Sequence, residues 1–259
     1  MEPGHQLRTS SNHMRLNWRF FQMSKLGNKE SDCEDSFSFR SREMKFAIAD
    51  GVSASIFSDV WARAITDSTV TGKYSFFENP DNFLNDLIVR ARQKWYRKID
   101  WEKLPWFLKN KAVSGSYTTL VGLQFQNTGG ELKYSSFAVG DSVLIHWEGA
   151  DDYSSYPLTS PDQFDNTPKL VWSGKGHPMP VEFKVVPPKA STYRGTMSRN
   201  STIFLATDAV GKWLLEYGRY AEVSRLINSS FEMTELFTRE INSKRMRNDD
   251  LTLVSIFLE

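Results

Sequence analysis

Cysteine and histidine are scarce in this sequence, and their scarcity limits the kinds of site that it can build. Cys33 is the only cysteine among 259 residues, so an internal disulfide and a Cys-x-x-Cys metal site are both excluded. The four histidines, at positions 5, 13, 146 and 177, never stand in the His-x-x-x-His spacing of a zinc site. A reducing, cytoplasmic environment fits this composition best.

Long apolar runs and an excess of charge of one sign are also missing. No stretch approaches the roughly 18–20 apolar residues that a membrane-spanning helix needs, and the first 20 residues are polar, unlike a signal peptide. The 32 basic and 31 acidic residues leave a formal net charge of +1, which gives no attraction to nucleic acid or to a membrane surface. The sequence therefore predicts a cytoplasmic protein that binds neither nucleic acid nor a membrane.

The spacing of apolar residues predicts groups of strands that alternate with pairs of helices. Strands are predicted over residues 15–23, 36–40, 43–49, 117–125, 132–139, 143–147, 202–207 and 251–258. Helices are predicted from Ser58 onward, over 80–99 behind the cap Asn79, and over 219–228 and 231–242. Segregated strands and helices of this kind are typical of an α+β fold in which helices cover stacked sheets.

The length suits one large domain. We expect residues 1–14 to form a polar N-terminal extension and residues 15–259 to form a single domain. Residues 150–197 are rich in Pro, Ser, Asp and Gly, and we expect them to form an insertion with short strands. Within them, SGKGH at 173–177 lacks both the spacing of a phosphate-binding loop and a following helix. The sequence therefore does not favour nucleotide binding there.

Acidic residues stand at the ends of several predicted strands. They are Glu34 and Asp35 before one strand, Asp50 and Asp208 after two others, Asp249 and Asp250 before the last strand, and Asp141 in a turn. Taken singly, each is an ordinary turn residue. Carboxylates that meet at one point repel and resist ionisation, and Mg²⁺ or Mn²⁺, which prefer oxygen ligands, remove that repulsion. The set therefore indicates a divalent-cation site at the ends of the strands.

Six short segments occur in an order that matches one known family. They are CEDSF (33–37), FAIADGVSAS (46–55), GSYTTLVGL (115–123), FAVGDSVLI (137–145), FLATDAVGKWL (204–214) and NDDLTLVSI (248–256). Together they resemble the motif series of the metal-dependent type-2C (PPM) serine/threonine protein phosphatases, and their form is most similar to the divergent bacterial branch. The similarity extends from about residue 15 to the C-terminus, and it implies that residues 150–197 correspond to the flap beside the active site, which shapes substrate choice.

The resemblance implies a four-layer α-β-β-α sandwich of two stacked, mainly antiparallel sheets flanked by helices, with a centre of two Mg²⁺ or Mn²⁺ ions. The implied metal ligands are Glu34, Asp35, Asp50, Gly51, Asp141, Asp208 and Asp249. Asp50 would bridge the two ions, and Gly51 would lend its carbonyl oxygen at a point where a side chain would crowd the ion. Asp141 matches the acid that helps to form a third, weaker metal site in bacterial members.

The resemblance also implies a reaction. A water activated by the binuclear centre would hydrolyse the phosphomonoester of phosphoserine or phosphothreonine in a protein, and catalysis would depend on Asp50, Asp208 and Asp249. The implied partners are a phosphorylated protein substrate and a cognate serine/threonine kinase. Cys33 is not needed as a nucleophile, and the acids that follow it would raise the pKa of its thiol.

The sequence departs from the family pattern where the substrate phosphate would bind. Many members carry an Arg four residues before the first acid, and here that position holds Glu30. Lys29 beside it would bind the phosphate as a point charge, without the planar fork of an arginine. Val52 stands where some members have a histidine, and Val143 where many have an arginine. Ser116, Thr118 and Thr119 match the family's strand that precedes the predicted antiparallel strands 132–139 and 143–147. We expect these three residues to have structural roles.

Two alternatives to an active protein phosphatase remain open at this point. The first is a catalytically weak or inactive phosphatase-like module that binds a phosphoprotein or a regulatory partner, as the missing arginine suggests. The second is a different metal-dependent hydrolase on a similar sandwich, acting on a small phosphoester.

Overall fold

The computed structural model describes residues 6–8, 15–150, 152–164, 168–174 and 188–259. Within these ranges the strands are β1 (Gln6–Arg8), β2 (Arg15–Met23), β3 (Ser36–Arg40), β4 (Lys45–Ala49), β5 (Tyr117–Thr118), β6 (Leu120–Thr128), β7 (Glu131–Val139), β8 (Val143–Gly149), β9 (Asp152–Tyr156), β10 (Val171–Trp172), β11 (Ser191–Met197), β12 (Thr202–Ala206) and β13 (Leu251–Leu258). The helices are α1 (Ser58–Thr71), α2 (Leu84–Lys98), α3 (Trp106–Val113), α4 (Asp208–Tyr217), α5 (Tyr220–Leu226) and α6 (Ser230–Asn242).

Two antiparallel sheets form the centre of the molecule. The larger has six strands in the order β1-β2-β13-β12-β8-β9, and the smaller has five in the order β11-β7-β6-β4-β3. The short strands β5 and β10 pair separately. The predicted α+β class with two mainly antiparallel sheets is confirmed.

Three apolar cores separate four layers. Phe46 of β4 and Val254 of β13 belong to the core between the two sheets. On one outer side, α1 and α2 cover the smaller sheet, with Trp61 buried in that core. On the other outer side, α4, α5 and α6 cover the larger sheet around Trp213. The layers are therefore helix, sheet, sheet and helix, as the resemblance implied.

The last strand shows how the sequence produces this layering. Along a strand, successive side chains point to opposite faces, and β13 is apolar on both. Leu251 and Leu253 pack in the core with the helices, whereas Val254 and Ile256 pack in the core between the sheets. Each such side chain, fully buried, contributes about 1.5–3 kcal/mol to folding. The two-sided apolar pattern thus marks a central strand between two layers.

The helix predicted over residues 80–99 begins later than its sequence signals indicate. Asn79 does act as a cap, since its side-chain oxygen accepts a hydrogen bond from the backbone N–H of Asp81 at 3.1 Å. The capped segment is a single 3₁₀ turn, Pro80–Asn82, and α2 begins only at Leu84. Within the described ranges no helix is long and apolar enough to cross a membrane.

The pattern of two pairs of helices was wrong, because α3 and α4 were not predicted. Helix α3 has one buried residue, Ala112, and therefore no apolar stripe that a periodicity search could detect. Helix α4 begins two residues after β12 ends, and the apolar residues on both sides of Thr207 and Asp208 hide the change of period. Asp208 is consequently the first residue of a helix, two positions after the last residue of a strand.

The stretch 150–197 contributes strands to both sheets. Strand β9 pairs with β8 at the edge of the larger sheet, and β11 pairs with β7 at the edge of the smaller one. In SGKGH, only Ser173 and Gly174 lie within the described residues, and positions 175–177 lie outside them. Of the predicted extension 1–14, the structure describes β1, which pairs with β2. The division into an extension, one domain and an insertion stays a prediction.

Candidate metal centre

Asp50 is placed by a rigid strand and by the segment that precedes β6. All five residues of β4 are buried, and Asp50 follows the last of them. Its backbone carbonyl accepts hydrogen bonds from the N–H of Thr119 at 2.9 Å and the hydroxyl of Thr118 at 2.6 Å. Its own N–H donates to the Thr119 hydroxyl at 3.0 Å. The backbone of Asp50 is therefore fixed, as a metal-bridging carboxylate requires.

The backbone leaves no room for a side chain at Gly51. A Cβ atom there would lie 2.7 Å from the carbonyl oxygen of Glu34 and 2.9 Å from the carbonyl oxygen of Ser58. The Gly51 N–H also donates to the carbonyl oxygen of Glu34 at 3.3 Å. The need for glycine thus arises from close packing of three backbone segments, a different reason from the crowding of an ion that the sequence suggested. A role for the Gly51 carbonyl as a ligand stays a prediction.

Asp250 holds the loop that carries Glu34 and Asp35. One of its carboxylate oxygens accepts the N–H of Lys25 at 2.9 Å, and the other accepts the N–H of Glu34 at 2.8 Å. The start of β13 is thereby joined to the end of β2 and to the loop before β3. Sequence reasoning assigned a role to Asp249 and none to its neighbour, because adjacent acids cannot be told apart until the direction of each side chain is known.

Asp35 is a buried carboxylate with one satisfied and one unsatisfied oxygen. Its Oδ2 accepts a hydrogen bond from the Thr207 hydroxyl at 2.9 Å. Its Oδ1 is buried and has no hydrogen-bond partner among the described residues. Buried polar atoms are almost always paired, so an unpaired carboxylate oxygen at this place points to a ligand. Thr207 is a contributor that the sequence analysis missed.

Asp208 and Asp249 approach each other because β12 and β13 are neighbours in the larger sheet. Both carboxylates pair with Arg247, with a distance of 3.2 Å between Nη1 of Arg247 and Oδ2 of Asp208. Lys25 adds a second cation, with its Nζ 3.0 Å from Oδ1 of Asp249 and 3.9 Å from Oε2 of Glu34. Neither cation was predicted from the sequence.

The charges of the acids act on one another across the site. Burial raises the pKa of Asp50 well above its ordinary range, and the charges of Asp35 and Asp208 raise it further. Asp141, buried in the turn between β7 and β8, adds a smaller effect of the same sign. Burial also raises the pKa of Asp35, and the charges of Asp250 and Asp208 add to the rise. Carboxylates that resist ionisation in this way are relieved by a bound cation.

These residues fit divalent cations by their chemistry. The donors are carboxylate oxygens, which suit Mg²⁺ and Mn²⁺, and the unpaired Oδ1 of Asp35 lies among them. Within the described part of the chain, however, no three His, Cys, Asp or Glu side chains form a ready-made cluster for an ion. Arg247 and Lys25 occupy oxygens of Asp208, Asp249 and Glu34, so ion binding at those acids requires the two cations to move.

Glu34 is also held by two serine hydroxyls. Ser53 donates to its Oε2 and Ser58 donates to its Oε1. Ser58 is the first residue of α1, so the helix begins at the carboxylate. Because both oxygens are engaged, Glu34 is oriented by the protein before any ion is bound. These two serines are further contacts that the sequence did not predict.

The remaining predicted residues have simpler surroundings. Lys29 is exposed, and its backbone N–H donates to Asp32 at 3.2 Å; its role at the substrate phosphate stays a prediction. Burial, together with the charges of Asp35 and Asp250, raises the pKa of the Cys33 thiol, which does not favour a thiolate nucleophile. The Ser116 hydroxyl donates to the carbonyl oxygen of Ile56, a structural contact as expected.

No protein-family model matches the sequence, and a search of curated proteins gave no significant match. Solved structures do match. The serine/threonine phosphatase Stp1 from Staphylococcus aureus is 13% identical with a TM-score of 0.60, and 98% of each chain is covered. PppA, a key regulatory component of T6SS in Pseudomonas aeruginosa, is 14% identical with a TM-score of 0.57, covering 93% of this chain and 98% of PppA.

The chain has the fold of the PPM-type serine/threonine phosphatases. The catalytic domain of the serine/threonine protein phosphatase PstP, solved in complex with two manganese ions, has the same fold at 13% identity and a TM-score of 0.58. The match covers 94% of this chain and 99% of that domain. The PPM fold therefore extends over nearly the whole of both chains, and the resemblance drawn from six short motifs is confirmed at the level of the fold.

Proposed function

We propose that this chain is a metal-dependent phosphoserine/phosphothreonine protein phosphatase. The observation that supports the proposal most strongly is the meeting of acids from five separate segments at one end of the two sheets, where burial and the neighbouring carboxylates raise the pKa of Asp35 and of Asp50. The fold, shared with the serine/threonine phosphatases PstP and Stp1, agrees with this proposal. The proposal adds a catalytic activity to the fold that the chain shares with these proteins.

The ligands of the proposed centre are those that the sequence predicted. Asp35, Asp50, Asp208 and Asp249 would hold two Mg²⁺ or Mn²⁺ ions, and Asp50 is the ligand that the resemblance assigns to both. When bound, the ions would activate a water for attack on phosphorus and neutralise charge on the phosphoryl oxygens. Glu34, Gly51 and Asp141 complete the proposed set.

The protein's own contribution is orientation. Thr118 and Thr119 hold the backbone of Asp50, and Asp250 holds the loop of Glu34 and Asp35 through two backbone N–H groups. Such supporting hydrogen bonds commonly change metal affinity or activity by 10–100-fold, as an order of magnitude. The centre is therefore built on rigid elements with a supporting layer already in place.

Arg247 and Lys25 would supply the phosphate contacts that Glu30 cannot. In the structure they neutralise Asp208, Asp249 and Glu34. If ions take over that role, the two cations become available to bind substrate oxygens close by. A phosphorylated protein is the proposed substrate and a serine/threonine kinase the proposed source of it. A cytoplasmic location stays a prediction of the sequence.

One observation favours the alternative of a weak or inactive phosphoprotein-binding module. Arg247 already bridges the two acids that would hold one of the ions, and a permanent ion pair there would leave a single metal and little hydrolysis. The same arrangement would still present cations to a phosphate group. Metal stoichiometry separates the two functions.

The test combines turnover with metal binding. Wild type should hydrolyse p-nitrophenyl phosphate and a phosphothreonine peptide only with Mn²⁺ or Mg²⁺, and a chelator should stop the reaction. Asp50→Asn should reduce turnover by about a thousandfold, because the bridging charge is lost. The exposed Asp81→Asn is the matched control and should behave as wild type.

Titration calorimetry with Mn²⁺ supplies a readout independent of activity. Two bound ions in wild type and loss of tight binding in Asp50→Asn are expected. One ion with no turnover would support the inactive module, and turnover without added metal that survives a chelator would overturn both readings. Comparing phosphopeptides with nucleotides and sugar phosphates tests the remaining alternative, a hydrolase of small phosphoesters.

A further inference from the structure

A cleft of about 600 Å³ opens beside Asp208, next to the candidate metal centre. Its walls come from α4, from the end of α6 and from the loop that leads into β13, and Phe164 lies across from them. Asp208 and Arg247 belong both to the cleft and to the candidate centre. A ligand that places a phosphate at the centre would therefore extend into this cleft.

Basic residues dominate the charge of this cleft. Lys212 on α4 and Lys244 after α6 line it, are exposed, and form no ion pair with any described residue. Arg245 also lines it, but its guanidinium is engaged by the carboxylate of Glu240 at 2.7 and 2.9 Å. The acids in the lining are Glu216 and Asp208, and Asp208 is paired with Arg247. The two lysines thus carry charges that no ion pair engages, and Glu216 is the acid of this lining that offsets part of them.

The backbone at Lys244 has a left-handed conformation that is unfavourable for a lysine. Its φ angle is +60°, and its N–H donates to the carbonyl oxygen of Ile241 at 2.9 Å, which ends α6. Glycine is the usual residue at such a left-handed helix end, because a Cβ atom is unfavourable there. A lysine at this position keeps a long basic side chain at the rim of the cleft despite that cost.

We propose that this cleft binds acidic residues that flank the phosphorylated serine or threonine of a protein substrate. The inference rests on the proposed function and adds to it a substrate class, namely phosphopeptides rich in Asp and Glu. Lys212 and Lys244 would contact the flanking carboxylates, while the side chain of Phe164 and the ring of Tyr217, both on the lining, would pack against the peptide chain. The missing arginine of the first motif would be compensated by charge from this side.

The test measures the binding of fluorescent phosphothreonine peptides by anisotropy. Three peptides carry the same phosphothreonine with acidic, neutral or basic flanks. Wild type should bind the acidic peptide about tenfold more tightly than the neutral one at low salt, and the difference should shrink as salt screens the charges. In the double variant Lys212→Glu/Lys244→Glu the preference for the acidic peptide should disappear.

The matched control is Lys98→Glu/Lys109→Glu, which changes the net charge equally. Lys98 on α2 and Lys109 on α3 are both exposed, and neither helix belongs to the layer that lines the cleft. The preference for the acidic peptide should persist in this variant. Equal affinity of wild type for all three peptides, or an equal loss in the control, would overturn the proposal. Tight binding of the unphosphorylated acidic peptide or of a single-stranded oligonucleotide would also overturn it, since either would show a general anion site.

Failure of the phosphatase function is distinguishable from failure of this inference. A preference for the acidic peptide in binding, without Mn²⁺-dependent turnover, would support the proposed role of the cleft and contradict the phosphatase function. Turnover of all three peptides with equal KM would support the phosphatase function and contradict the proposed role of the cleft. Circular dichroism of both double variants checks that the charge reversals leave the fold intact.

Discussion

The two halves of the candidate centre are stabilised in opposite ways. Asp35 and Asp50 are held by threonine hydroxyls and backbone N–H groups, and burial together with the charges of neighbouring acids raises the pKa of each. Asp208 and Asp249 are neutralised by Arg247, and Lys25 also pairs with Asp249. Hydrogen bonds from Thr207 and Thr252 and the charge of Arg247 offset part of the rise in the first half, and a bound cation would remove the rest. The second half already has its counter-charges.

This difference predicts an order of binding. A divalent cation entering near Asp35 and Asp50 displaces no side chain and removes a repulsion. A cation entering near Asp208 and Asp249 must displace the guanidinium group of Arg247, and the ion pairs that this group forms with the two acids are then lost. We therefore expect one tight and one weaker ion. Three substitutions test the difference between the two halves, two of them through metal affinity and one through stability.

The largest effect is expected from Asp35→Asn, in the first half. Mn²⁺ affinity should fall by at least about a hundredfold, because a buried charged ligand becomes a neutral amide. Without metal, the free energy of unfolding should rise by about 1–2 kcal/mol, because one repelling charge has gone. Thermal unfolding with and without Mn²⁺ measures both. A less stable metal-free variant would contradict the assignment of electrostatic repulsion to this half.

Glu240→Gln is expected to have the next largest effect, through the loop that carries Arg247 to the neutralised half. Glu240 accepts hydrogen bonds from Arg245 and from the Trp213 indole at 3.1 Å, and so holds the loop that carries Arg247. Removing a buried charged acceptor should cost about 2 kcal/mol. Denaturant unfolding of the metal-free protein gives the value. The exposed Glu232→Gln on the same helix is the control.

The same residue predicts a pH dependence with a defined sign. Hydrogen bonds from Arg245 lower the pKa of Glu240 from 4.5 to about 2. A depressed carboxyl pKa stabilises the folded state above the unfolded value and loses that contribution as the pH falls through the folded one. The stability difference between wild type and Glu240→Gln should therefore shrink between pH 4.5 and pH 2. A constant difference would contradict the ion pair.

The smallest effect is expected from Arg247→Ala. Because the arginine competes with the weaker ion, its removal should raise the affinity of that ion about fivefold, or about 1 kcal/mol. The tighter ion should be unaffected. Calorimetry at two salt concentrations measures the change, with the exposed Arg225→Ala as control. Unchanged affinity for both ions would show that the halves do not differ in the way described.

Several of the strands could be predicted from the sequence, whereas the supporting contacts could not. The bounds of β2 and β13 follow from apolar patterns that a central strand imposes, and both were predicted to the residue. The positions of Asp50 and Asp208 follow from the ends of such strands. Helix α3, which buries one side chain, leaves no pattern to detect.

Contacts between distant segments are a different matter. Lys25 and Arg247 reach the acids only because the end of β2 and the loop before β13 come together in the folded chain. Whether Asp249 or Asp250 faces the centre depends on the phase of β13, which adjacent identical residues do not reveal. A need for glycine at position 51 was predicted from the sequence. The backbone crowding that causes this need became visible only in the folded structure.

Strands β9 and β11 cover the outer edges of the two sheets. Replacing the whole stretch that contains them, as a test of whether it affects substrate choice, would uncover the hydrogen-bonding edges of β8 and β7 at the same time. Exposed edges of that kind pair readily with other chains. Grafts confined to the loops, with both edge strands retained, should express as monomers, whereas full replacements should aggregate.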